Sequence, residues 1–122
     1  VAHTLRTETE INRLFSQYTM LQSTVFESEL RNENLKTDAL QVYIDSAAAI
    51  LARIQNLTIR TPEQQKNIKK ALLLEDELYS AVRVLLNGDP AEKEENGTLM
   101  LNQLVSKVRE LGEVKAAMLQ LE

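Results

Sequence analysis

Residues 61–92 read TPEQQKNIKKALLLEDELYSAVRVLLNGDPAE, a segment that carries both a start and a stop signal for a helix. Thr61 is a residue type that caps helix N-termini, and Pro62 suits the first helical position, where no N–H is required. Gln64 has the spacing to reach back to the backbone of Thr61 in a capping box. The pattern predicts a helix that begins at Pro62.

The end of the same segment predicts where this helix stops and where the next one begins. Gly88 can adopt the left-handed conformation of a C-terminal cap. The sequence DPAE that follows repeats the pattern of a helix start. Asn96 and Gly97 then interrupt the apolar spacing, which resumes at Leu99. We therefore expect a helix over residues 62–87, a helical turn from residue 90, and a last helix over residues 98–122.

Two earlier segments show the same helical spacing, and a polar break at residues 31–38 separates them. Asn34 or Thr37 can cap the second of these helices. No segment alternates apolar and polar residues as a half-buried strand does. The sequence thus predicts an all-α chain whose first two helices cover residues 3–31 and 36–58. The predicted seam residues are Ile11, Leu14, Tyr18, Leu21 and Val25 in the first helix, Leu40, Tyr43, Ala47, Ile50, Ile54 and Leu57 in the second, Ile68, Ala71, Leu78, Val82 and Leu85 in the third, and Leu101, Leu104, Val108, Leu111, Val114, Met118 and Leu121 in the fourth.

The length of 122 residues suits a single domain that spans the whole chain. Because the connections are short, neighbouring helices should run antiparallel. The predicted fold is all-α, an antiparallel up-down-up-down four-helix bundle with both chain ends at the same end of the bundle. Burial of a Leu or Ile side chain stabilises a fold by roughly 1.5 to 3 kcal/mol, so we expect packing of the apolar stripes to hold the helices together.

The first helix carries more apolar surface than one seam requires. Phe15, Phe26 and Leu30, together with Leu5, widen its stripe on one side. A stripe wider than about 100° must be covered, either by a neighbouring helix that packs off-centre or by a second copy of the chain. Phe15, Phe26 and Leu30 are accordingly our candidates for a homodimer interface.

Several classes of function are disfavoured by composition. The net charge of -4 and the lack of a Lys/Arg cluster offer no platform for nucleic acid. The chain has no Cys and one His, His3, which we interpret as a solvated end residue, so we expect no metal and no cofactor. Nucleophile triads and phosphate-binding Gly motifs are missing, and we expect no enzyme activity.

Charged side chains leave two interpretations open. Arg6 with Arg13, and Arg53 with Arg60, lie seven residues apart, so each pair shares one helical face and could clamp a carboxylate or nitrate. The alternative is that these residues form solvated faces. We interpret the acidic run at residues 75–77 as solvent-facing.

The two ends of the chain suggest how the domain is connected. No cap residue precedes the first helix or follows GEVKAAMLQLE at residues 112–122, so we expect both helices to continue beyond the chain. The chain resembles the extracytoplasmic four-helix-bundle domains of bacterial chemoreceptors (methyl-accepting chemotaxis proteins) and sensor histidine kinases. Most of the resemblance lies in residues 61–95, with a Thr-Pro-Glu start, a Tyr before an apolar stretch, and Gly-Asp before an acidic turn.

A narrower resemblance concerns the first helix. INRLFSQYTMLQS, residues 11–23, is similar to the nitrate-responsive group that includes type IV pilus chemotaxis transducers, and Gln17 falls on that group's pattern. Tyr18 stands where the group has an anion-binding Arg, and Arg13 is the nearest replacement. The resemblance therefore implies Arg13, Gln17 and Tyr18 as ligand-binding candidates.

These observations lead to two hypotheses about function. The resemblance implies a periplasmic sensor domain of an inner-membrane receptor, which binds an amino acid, an organic acid, an anion or a periplasmic protein. Binding would displace one helix relative to another, and flanking membrane helices absent from this chain would transmit the signal. The alternative is an intracellular scaffold or adaptor bundle that binds a protein partner.

Overall fold

The computed structural model describes residues 2–31, 37–87 and 90–122, and within them the side chains of residues 2, 3, 87, 90, 92 and 93 are not described. These ranges contain four α-helices and no strand, which confirms the predicted all-helical class. The helices are α1 (Ala2–Leu30), α2 (Thr37–Leu57), α3 (Pro62–Asn87) and α4 (Pro90–Gln120). The cap position Asn34 and the predicted Gly88 cap lie outside the described residues, and the prediction for His3 concerns a side chain that is not described.

The start of α3 corrects one predicted detail. The helix begins at Pro62 as expected, and its first backbone bond runs from the N–H of Gln65 to the carbonyl of Thr61 at 3.1 Å. Gln65, however, is the residue that reaches back, and its amide donates to the carbonyl of Thr58 at 2.7 Å. Gln64 is fully buried and instead donates to the carbonyl of Met118 in the last turn of α4, at 2.7 Å. The predicted capping box is therefore wrong, because the amide of Gln64 bonds to the end of α4, where it also donates to the carboxylate of Glu122 at 2.9 Å. The carbonyl of Met118 accepts a second hydrogen bond from the N–H of Leu121 at 3.2 Å.

The interruption predicted at Asn96 and Gly97 is also wrong. α4 runs without a break from Pro90 to Gln120, a length of 31 residues. A Gly inside a helix costs only about 1 kcal/mol relative to Ala, and one such residue does not end a long helix that packs along its length. The apolar residues that follow Leu99 supply that packing through Leu104, Leu111 and Met118, all three of which are fully buried.

The core follows the predicted seams closely. In α1 every predicted seam residue is buried, and in α3 the same is true. In α2 and α4 most are buried, while Leu121 at the end of the chain is 38% exposed. The buried positions form one continuous hydrophobic cluster, so packing of the four stripes against one another stabilises the fold.

Three pairs of helices pack extensively, namely α1 with α2, α3 with α4, and α1 with α4, whereas α2 touches α3 only sparsely. Specific contacts tie two of the pairs together. The carboxylate of Glu10 near the start of α1 accepts two hydrogen bonds from Arg53 near the end of α2, at 3.1 and 3.2 Å. Gln64 joins the start of α3 to the end of α4. In the part of the chain that is described, no helix is long and apolar enough to cross a membrane.

Candidate functional site

The three ligand-binding candidates on α1 do not converge on one site. Arg13 is exposed, and its guanidinium lies 3.5 Å from the carboxylate of Glu10. Gln17 is half-buried, and its amide donates to the carbonyl of Arg13 at 3.4 Å. Tyr18 is 1% exposed, on the face of α1 that packs into the bundle. A ligand could not touch all three at once without a rearrangement of α1, and their role in binding stays a prediction.

The dimer candidates on α1 also occupy different surroundings. Phe15 is 5% exposed and lies in the core, where its ring meets that of Tyr18 edge to face with 5.3 Å between centroids. Of the two explanations for the wide stripe, packing within the chain therefore accounts for Phe15, which has little surface left for a partner. Phe26 is half-buried and Leu30 is 85% exposed. The interface remains a prediction that rests on these two residues.

A buried polar cluster lies inside the bundle, formed by Tyr18 of α1 with Glu75 and Tyr79 of α3. Glu75 is only 5% exposed, and its carboxylate accepts a hydrogen bond of 2.7 Å from the hydroxyl of Tyr79. The hydroxyl of Tyr18 is buried near Glu75 and has no hydrogen-bond partner of good geometry among the described residues. A buried polar group without a partner costs free energy, so this cluster is a place where the interior is not fully satisfied.

The pKa values of all three groups are raised. Burial is the main cause for each, because it penalises the charged form of an acid. The negative charge of Glu75 adds to the rise in the pKa of both Tyr18 and Tyr79. For Glu75 itself, the hydrogen bond from Tyr79 and the nearby hydroxyl of Tyr18 lower the pKa and only partly offset burial. Both tyrosines therefore stay neutral, and Glu75 carries a less stable charge than a surface carboxylate.

The interpretation of residues 75–77 as solvent-facing is wrong for Glu75. Its position completes the α3 seam, which runs Ala71, Glu75, Leu78 and Val82 with alternating steps of four and three residues. The predicted seam passed from Ala71 to Leu78 without naming a residue between them. Leu74, which is 6% exposed, also lies within that seven-residue step, so the apolar spacing alone did not single out Glu75.

A groove between α2 and α3 opens beside this cluster, where the two helices pack sparsely. Its volume is about 380 Å³. One wall is apolar and aromatic, and charged side chains stand at the rim. The groove is lined by Thr37, Gln41 and Ile44 of α2 and by Asp76, Tyr79, Val82, Arg83 and Leu86 of α3. Tyr79 connects the two features, because it lines the groove while its hydroxyl binds Glu75.

Two further grooves lie along the tightly packed helix pairs. The α1–α4 groove, about 370 Å³ in volume, contains Tyr18 but neither Arg13 nor Gln17. Its other lining residues include the apolar side chains of Phe15 and Val108, with Lys115 as the one cation among them. The α3–α4 groove is larger at about 480 Å³, but Lys107 there pairs with Glu77. Of these three grooves, the α2–α3 groove is the one that combines an apolar wall with both a cation and an anion at its rim.

One of the two arginine pairs has a partner within the chain. Arg53 contacts the carboxylate of Glu10, a residue that is 7% exposed. The proposed anion clamp of Arg53 with Arg60 is therefore occupied at Arg53 by an internal ion pair that ties α2 to α1. A sequence contains no direct sign of such a contact, since the two partners lie 43 residues apart.

Within residues 2–31, 37–87 and 90–122, there is no group of three or more His, Cys, Asp or Glu side chains that could hold a metal ion. No protein-family model matches the chain, and no match was found among curated proteins or solved structures.

Proposed function

We propose that this chain is the periplasmic ligand-sensing domain of a bacterial transmembrane signalling receptor, similar in role to a chemoreceptor. The observation that carries the proposal is the α2–α3 groove, which is of a size that suits a small molecule and adjoins an incompletely satisfied polar cluster. Occupation of such a groove changes the spacing of helices that are otherwise loosely packed. The resemblance of residues 61–95 to receptor sensor domains supports the same role.

The proposal includes an antiparallel up-down-up-down arrangement of the four helices. Contacts between the start of one helix and the end of its neighbour support it, because parallel neighbours would bring starts to starts. Glu10 near the start of α1 meets Arg53 near the end of α2, and Gln64 near the start of α3 meets Met118 near the end of α4. In this arrangement α1 and α4 are the helices that continue toward the membrane.

The route from ligand to output runs through the buried cluster. A ligand in the groove touches Tyr79, whose hydroxyl binds Glu75, and Glu75 lies beside Tyr18 of α1. A ligand shifts an equilibrium only if its contacts differ between two states. Separation of α2 from α3 would alter the contacts of the ligand with the groove. α1 would respond because it contributes Tyr18 to the buried polar cluster.

A homodimer is part of the proposed assembly. Leu5, Met20 and Leu30 leave large apolar surface exposed on α1, at 60%, 46% and 85%. A large contiguous patch of exposed apolar surface marks an interaction site, and we propose that these side chains contribute to such a patch in the dimer. Sedimentation over a range of concentrations measures the association.

A thermal-shift screen of the isolated chain tests the sensing role. Amino acids, organic acids, nitrate and nitrite are the compounds to include. A ligand present at about a hundred times its dissociation constant adds roughly 2.7 kcal/mol to the free energy of unfolding, which raises the melting temperature by several degrees. A shift with one class of compound supports the proposal. If no compound moves the transition, sensing of these small molecules is refuted, and a protein ligand or the scaffold or adaptor hypothesis takes its place.

A further inference from the structure

We propose that the α2–α3 groove binds a small zwitterion, a molecule with an ammonium group and a carboxylate group on a compact apolar body. This inference rests on the proposed sensing function and specifies its site and ligand class. It is argued from three properties of the groove, namely its two opposite charges, the distance between them, and its apolar wall.

The charges at the rim are those of Asp76 and Arg83. Both are exposed residues of α3 that line the groove. Among the described residues, the partners of Arg83 are in its own helix and the bonds are long, from Nε to the carbonyl of Tyr79 at 3.3 Å and from a terminal nitrogen to the hydroxyl of Ser80 at 3.4 Å. A carboxylate can replace these bonds with shorter, charge-assisted and bidentate ones. Asp76 is the complementary partner for an ammonium group, and it repels a second carboxylate.

The spacing of Asp76 and Arg83 along α3 suits a compact ligand. The two residues are two helical turns apart, or about 10 Å along the helix axis. The nitrogen and the carboxyl carbon of an α-amino acid are about 2.5 Å apart, as bond lengths and angles dictate. A C–O bond of about 1.2 Å and two charge-assisted hydrogen bonds of about 2.8 Å each extend this to roughly 9 Å. The guanidinium of Arg83 bonds to Tyr79 and Ser80, which lie on the Asp76 side of it along the helix, so it is placed nearer to Asp76 than its backbone is.

The apolar wall defines the body of the ligand. Ile44 of α2 is partly buried and faces the groove together with Val82 and Leu86 of α3. Pockets for small molecules combine such a wall with a few polar groups that fix orientation. At about 380 Å³ the groove is near the lower end of the range for ligand pockets. A branched aliphatic side chain of four or five carbons fits this description better than a polar one.

The α1–α4 and α3–α4 grooves do not make the same case. The first has Lys115 with no opposing anion in its lining, and the second has Lys107 already bound to Glu77. A zwitterion would leave one charge unpaired in either of them.

Isothermal titration of the chain with three matched probes tests the inference. The probes are L-leucine, 3-methylbutylamine, which lacks the carboxylate, and 4-methylpentanoate, which lacks the ammonium group. We expect L-leucine to bind at least about tenfold more tightly than either fragment, because each fragment loses one charge-assisted contact. Equal affinities for the three probes, or no binding of L-leucine, would overturn the proposed ligand class.

Two substitutions locate the site. Asp76→Asn and Arg83→Gln should each weaken L-leucine binding at least about tenfold, and Arg83→Gln should leave the affinity for 3-methylbutylamine unchanged. Glu113→Gln and Lys70→Gln are the controls, since both positions are exposed and lie outside the groove lining. If L-leucine binds all variants equally, the site lies elsewhere. If nitrate or an organic acid shifts the melting temperature while L-leucine does not bind, this inference fails and the sensing function stands.

Discussion

Replacement of Glu75 by Gln should make the chain more stable at neutral pH. Gln has nearly the shape of Glu, and its carbonyl oxygen can accept the hydrogen bond that Tyr79 donates at 2.7 Å. Its amide can donate to the hydroxyl of Tyr18, which lacks a partner of good geometry. The substitution removes only the charge, which is held at 5% exposure without a counter-ion among the described residues.

The direction of the pH effect follows from the raised pKa of Glu75. Its pKa in the folded chain lies above its ordinary value of 4.5, mainly because of burial. The stability that Glu75 contributes in its protonated form is therefore fully present below pH 4.5 and is lost as pH rises through the folded-state pKa. Each pKa unit of difference corresponds to about 1.4 kcal/mol. Glu75→Gln cannot ionise, so its advantage over the parent chain should grow between pH 4 and pH 8 in proportion to the rise in the pKa of Glu75.

Urea unfolding of both proteins at pH 4, 6 and 8, followed by circular dichroism, measures this difference. Glu113→Gln is the control, because Glu113 is exposed and its replacement should change stability by less than about 0.5 kcal/mol at any of these pH values. A constant difference between Glu75→Gln and the parent chain at all three pH values would refute the reasoning. It would mean that the carboxylate is as well solvated in the bundle as in the unfolded chain.

Three further predictions concern packing and assembly. Gln64→Ala should destabilise the chain by about 1 to 3 kcal/mol in urea unfolding, because the last turn of α4 loses a buried hydrogen-bond donor. A decrease in the free energy of unfolding below about 0.5 kcal/mol would mean that water replaces this donor at no cost. Arg53→Gln should lower the free energy of unfolding by about 1 to 2 kcal/mol, since Glu10 stays buried but loses its strongest partner. This destabilisation should disappear in an Arg53→Gln, Glu10→Gln double variant. Leu30→Glu should reduce self-association in sedimentation without changing the melting temperature. Phe15→Glu should instead unfold the chain, because Phe15 lies in the core. If the Leu30→Glu variant associates as the parent chain does, Leu30 is not part of the interface.

Helix positions and most of the core could be predicted from the sequence, because both depend on local signals. Pro62 and the apolar steps of three and four residues fix where α3 begins and which face it buries. Contacts between distant residues could not be predicted in this way. Gln64 had the spacing of a capping residue, and only the packing of α3 on α4 shows that a carbonyl of α4 competes for its amide. Glu75 was missed for a related reason, since a charged residue on a seam is stable only if a partner such as Tyr79 is present.

The uneven packing of the helices implies a particular kind of motion. Among the described residues, α1 and α4 form the one extensive contact between the α1–α2 pair and the α3–α4 pair, because α2 and α3 touch only sparsely. We expect the α1–α4 contact to act as a hinge axis, about which the two pairs of helices turn without losing the packing inside either pair. Helices pack about 10 Å apart, so widening the α2–α3 side by about 1 Å would turn one pair against the other by about 6°. Movement of this kind rotates α1 and α4 against each other and leaves their heights along the bundle unchanged, which cysteine cross-linking along the two helices can distinguish from sliding.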